Sequence, residues 1–209
     1  MHDRDDDFGL TTVASGSFVQ LWWKYHDSAT AVIEEIAREE DPSSLQQYVH
    51  DARLLADSPL SAERLETLWR SATSGHHGTS TEGIDGRTWF RRIIEVMEPV
   101  VAAGGLTVDT ADALDHRPEV IAEVVAIARR LTVRRNFFGD PVDEDELRSI
   151  LVELAESGRP ELALRFFVRF AVNHDSEMDA DLQDAVRKAG RHFGYGEFLI
   201  ERLDFLYKN

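Results

Sequence analysis

Residues 147–170 read LRSILVELAESGRPELALRFFVRF. Leu147, Ile150, Leu151, Leu154 and Ala155 recur at i, i+3, i+4, i+7 spacing, the apolar stripe of an amphipathic helix. Ser157-Gly158-Arg159-Pro160 is too short for anything but a tight turn, so the next segment folds back antiparallel. That second segment carries Leu162, Leu164, Phe166, Phe167, Val168 and Phe170 around most of its circumference, which predicts a helix contacted on several sides.

The same period extends in both directions. Towards the C-terminus, Leu182, Ala185, Val186, Ala189 and Phe193 form one stripe, and Phe198, Leu199, Leu203 and Leu206 another, with Gly194-Tyr195-Gly196 between them. Towards the N-terminus, Pro118 suits the first turn of a helix burying Val120, Ile121, Val124, Val125, Ala128 and Leu131. Phe90, Ile93, Ile94, Met97 and Val101 mark a further helix, with Pro99 expected to kink it and Gly104-Gly105 to end it. Ser61 opens a helix burying Leu65, Leu68, Trp69 and Ala72, with Leu60 and Leu65 at staple positions. Leu45, Tyr48, Val49, Ala52 and Ala56 follow the candidate caps Ser43 and Ser44. From Ser17, paired with Gln20 at capping-box spacing, the stripe Phe18 to Ala37 predicts one long helix stopped by Asp41-Pro42.

The fold class expected is therefore all-α, a multi-helix bundle or a short α-solenoid of antiparallel helical hairpins. Leu147, Ile150, Leu151, Leu154, Gly158, Ala163 and Phe167 have spacing similar to a tetratricopeptide repeat. The same offsets meet Asp181, Asp184 and Lys188 where apolar residues belong, so no family is assigned.

The 209 residues suit a single helical domain over 17–209, preceded by an acidic disordered tail at 1–16. A flexible polar loop at 74–87 is the candidate divide between 17–73 and 88–209. The chain has no cysteine, which removes disulfide, thiolate-metal and thiol-nucleophile chemistry and fits a cytoplasmic location. Its acidic N-terminus is followed by no long apolar run, so neither a secretory signal nor a membrane span is expected. A net charge of −16 repels phosphate backbones, disfavours nucleic acid and favours encounter with a basic protein partner.

Few residues point to chemistry. His76 and His77, with Glu82 and Asp85 nearby, supply the donors a divalent metal would need, but without a recognised ligand spacing, so neither metal nor cofactor is expected. His26-Asp27, His50-Asp51 and His174-Asp175 are pairs such as HD-domain phosphohydrolases use, yet His50 and Asp51 fall away from the apolar face of their helix. Trp22, Trp23, Tyr25 and His26 form an aromatic knot in which Trp23 points off the stripe. Burial by another helix is the favoured reading for Trp23, and an exposed indole there would be a binding anchor. Arg134 and Arg135 belong to the one basic cluster, beside Phe137-Phe138, and read either as a binding patch or as helix C-terminal charge. The expected function is a helical protein–protein interaction module, of inhibitor, immunity or adaptor type. It would meet its basic partner through Trp23, Glu34, Glu35, Arg134 and Arg135. The alternative is a metal-dependent hydrolase with a His/Asp site between helices.

Overall fold

The apolar periods become helices in the computed structural model, which describes residues 9–18, 21–110, 114–135 and 142–196. Those residues carry nine α-helices and no β-strand. None of these helices is long and apolar enough to cross a membrane. The described residues fall into two compact units, 9–110 and 114–196.

In the first unit the helices are α1 (Leu10–Gly16), α2 (Ala29–Glu39), α3 (Pro42–Ala56), α4 (Ala62–Ala72) and α5 (Gly86–Ala103). The long helices α3 and α5 pack along one another, α2 and α4 lie against α5, and α1 sits on α3 and α4. Local chemistry sets the ends. Ser28 accepts from the Ala31 N–H at 3.1 Å, Ser61 from Arg64 at 3.3 Å and Asp85 from Thr88 at 2.7 Å. Asp41, rather than Ser43 or Ser44, caps α3, because Pro42 takes the first helical position and both serines then donate to its carboxylate. Those donors hold the Asp41 carboxyl well below the usual carboxylate range. Pro99 sits inside α5, which runs on to the Gly104 cap.

The second unit comprises α6 (Pro118–Ala128), α7 (Glu144–Glu156), α8 (Pro160–Asn173) and α9 (Ala180–His192). The hairpin read from 147–170 is present, turning at Gly158 with φ 84°. A Cβ there would lie 2.6 Å from the His116 ring, so the turn needs glycine both for its backbone and for its neighbour. As its sequence predicts, α8 is central, packing on α6, α7 and α9 with Phe166, Phe167 and Phe170 fully buried. The stripe Phe198 to Leu206 lies outside the described residues.

Three expectations are corrected. The region read as tail contributes α1, whose Leu10, Val13 and Ala14 are buried; residues 1–8 lie outside the described set. Its apolar residues gain more by covering α3 and α4 than they would in water. The long helix from Ser17 is broken: Leu21 adopts φ 69°, a 3₁₀ turn runs from Trp22 to Lys24, and α2 begins only after Ser28. Gln20, the partner assigned to Ser17, lies outside the described residues, and Ser17 instead closes α1 by donating its N–H to Val13. The described residues divide into units between 110 and 114 and not in the 74–87 loop. That loop is sewn to the first unit by Glu66, whose carboxylate accepts from the Thr79 N–H at 2.9 Å, the Thr79 hydroxyl, and Ser80.

Candidate functional site

The break before α2 has a consequence for the surface. A continuous helix would place Trp22 and Trp23 on neighbouring faces of one cylinder; the 3₁₀ turn instead drives Trp22 into the core. Its indole N–H donates to the His76 carbonyl at 2.9 Å. Trp23 and Tyr25 are left outside, 52% and 82% exposed. Burial of Trp23 is thereby corrected, because its neighbour Trp22 takes the space beside Phe18, with ring centroids 5.4 Å apart.

Between this turn and α2 lies an open groove of about 530 Å³. Trp22, Val32 and Ile36 contribute apolar surface to its lining, and Tyr25, His26, Glu35, Glu39 and Glu40 contribute polar groups. Glu35 reaches His26 Nδ1 at 3.5 Å. Glu39 and Glu40 form no ion pair among the described residues. Both stand at the C-terminal end of α2, where the helix dipole is negative and further carboxylates are unfavourable. From Trp22 to Asp41 six carboxylates oppose only Lys24 and Arg38. Like charges gathered on one surface repel one another and lower local stability.

The remaining candidates are dispersed. Glu34 is exposed on α2, and its backbone carbonyl accepts from Arg38 Nε at 3.2 Å. Arg134 and Arg135 lie in the second unit, where both backbone N–H groups donate to the His174 carbonyl at 3.0 Å. Arg134 also pairs with Glu177 at 3.0 Å, so these two residues tie the segment after α6 to the end of α8. Phe137 and Phe138 lie outside the described residues.

The metal candidates do not converge. His77 is only 2% exposed, and its Nδ1 accepts from the Trp69 indole N–H at 2.8 Å. It stacks on Phe18 with centroids 4.7 Å apart and leans on Trp89 at 4.9 Å. This burial pushes its pKa from the usual 6.5 to about 4. Glu82 accepts from the Ala29 N–H at 3.3 Å and Asp85 caps α5, so their carboxylates serve helix starts. Among the described residues no group of three or more His, Asp and Glu side chains is placed to hold a metal.

The His-Asp pairs are structural in two cases. Asp51 is fully buried, not turned away, because α1 covers it: its carboxylate accepts from the Leu10 N–H at 2.9 Å and from Gln47 at 3.1 Å. His174 is buried at the end of α8, its Nδ1 3.1 Å from the Arg135 carbonyl. His26 lines the groove beside α2. Tyr25, His26, Glu39 and Glu40 were absent from the residues expected to bind. The signal that could have found them is Glu39-Glu40-Asp41 against the end of a helix, beside aromatics that break the helical stripe.

No family model, curated protein or solved structure was found to match the chain.

Proposed function

We propose that the protein is a helical interaction module that captures a basic protein partner in the cytoplasm, acting as an inhibitor, immunity-type or adaptor factor, and that it does so at the groove beside α2. The observation that carries this reading is the pair Glu39 and Glu40, unpaired among the described residues, on the rim of an aromatic groove in a chain of net charge −16. Charge of one sign gathered on one surface raises the encounter rate with the opposite sign. Exposed Trp23 and Tyr25 beside the groove add the apolar anchor area that binding hot spots use. The same charge disfavours nucleic acid as ligand.

The experiment is capture by the immobilised protein from host lysate, followed by association kinetics with the retained basic protein. Its on-rate should fall steeply as salt shortens the Debye length from about 10 Å at 0.1 M to about 3 Å at 1 M. Charge reversal at Glu39 and Glu40 should lower the on-rate further, and Trp23→Ala should raise the off-rate. Kinetics indifferent to both salt and these substitutions would defeat the reading.

A further inference from the structure

We infer that the α2 groove receives an arginine side chain from the basic partner, in preference to lysine. This rests on the reading above and adds the chemistry of the contact. Two features of the groove favour a guanidinium over an ammonium, and a third favours any cation.

The first is the aromatic wall. Tyr25 is exposed at the groove and presents its ring, whereas Trp22, also in the lining, is largely buried. A guanidinium is planar and weakly hydrated, so it stacks on such faces and loses little on leaving water; the ammonium of lysine is compact and strongly hydrated. The second is carboxylate spacing. Glu35 and Glu39 stand one turn apart on α2 and both border the groove, with Glu40 next to them. Side chains at i, i+4 have Cβ atoms about 5–6 Å apart, so two carboxylates there can each take one arm of the rigid guanidinium fork, whereas an ammonium meets them as a point charge without that fixed geometry. The third is the end of α2 itself, whose last turn is the negative pole of the helix. An arginine has five N–H donors to divide between carboxylates and helix-end carbonyls. The groove has room for the side chain and the partner backbone that carries it, and lies within the usual volume range of ligand sites.

Glu35 is already engaged by His26. The arriving guanidinium therefore shares or displaces that contact, and His26 acts as a placeholder for the partner's cation. Replacing His26 with alanine should strengthen binding, provided Glu35 stays in place.

The test is fluorescence anisotropy on the full chain with a labelled Gly/Ser peptide bearing arginines and a lysine counterpart of equal charge. The arginine peptide should bind about tenfold tighter, the size expected of a cation–π contact combined with bidentate pairing. That ratio should persist at high salt, because stacking and hydrogen bonding are short-range. Tyr25→Leu should erase most of the preference, while Glu39→Gln should weaken both peptides. Both positions are exposed, and unchanged circular dichroism would show that the variants fold.

Equal affinity for the two peptides at every salt, or a preference that survives Tyr25→Leu, overturns the inference and leaves the basic-partner reading standing. Binding of neither peptide, while a basic host protein is captured with salt-sensitive kinetics, removes the groove as the site. Failure of both peptides and of capture defeats the inference and the function together. Free arginine binding as tightly as the peptide would make the ligand a small molecule and overturn the partner as its source.

Discussion

The indole N–H of Trp69 donates to Nδ1 of His77 across 2.8 Å, fixing the imidazole as the Nε2–H tautomer inside a cluster of Phe18, Trp22 and Trp89. Protonation would cost this bond its acceptor and place a charge where water is excluded.

A pH dependence follows. Burial lowers the His77 pKa from the usual 6.5 to about 4, so the unfolded chain takes up the proton first as pH falls. The stability His77 confers is complete above about pH 6.5 and is lost progressively as pH falls towards about 4. The total is roughly 3 kcal/mol. Chemical denaturation at pH 7 and pH 5 should show the loss, and His77→Gln, which does not titrate, should flatten it. An equal slope in the variant would place the effect on other groups.

The sequence view of 74–87 as a linker makes His76→Ala/His77→Ala neutral for stability. The buried ring reverses that expectation. His77→Ala should cost about 2–4 kcal/mol, by orphaning the Trp69 N–H and opening a cavity, while His76→Ala costs little. Melting temperatures of the two single variants decide the matter, and equal small shifts would contradict the packing.

Asp51 holds the first turn of α1 through the Leu10 N–H, two segments distant in sequence and joined by one buried carboxylate. Asp51→Ala should cost about 1–3 kcal/mol, the penalty for an unsatisfied buried donor. It should also open the chain before Ser17 to limited proteolysis. Protection unchanged in the variant would mean that Leu10 and Val13 hold α1 by apolar contact alone.

Gly86 starts α5 where α4 passes closest: a Cβ there would meet the Glu66 N at 2.5 Å and the Ala62 carbonyl at 2.6 Å. Both are backbone atoms, so neither yields by changing rotamer. Gly86→Ala should destabilise by about 1–3 kcal/mol despite the better helix propensity of alanine. A neutral result in urea denaturation would show that α4 and α5 can separate freely.

Much of the architecture was legible because helix formation leaves a local record. The stripes of α3 to α9 repeat at 3.6 residues, Ser61 caps α4, Pro118 opens α6 and Gly158 turns the hairpin, and each of these signals acts within a few residues of itself. The candidate site was legible only in part. Of the residues expected to meet a partner, Glu35 alone lines the groove, and the groove also draws on Tyr25, His26, Glu39 and Glu40, which no helical wheel from Ser17 would gather, since that helix is broken at Leu21.

Left to itself, the sequence determined an acidic, cysteine-free, all-helical chain, because charge, composition and apolar period are properties of residues and their near neighbours. Tertiary structure alone decided that Asp51 and His77 lie inside, that Trp23 lies outside, and that the 74–87 loop is part of a unit. Each of those outcomes depends on a cover supplied from far along the chain: α1 over Asp51, Phe18 and Trp22 over His77, Glu66 under the loop. Burial energy is set by whichever neighbour arrives, and that neighbour is fixed by packing of whole segments, which no local period encodes.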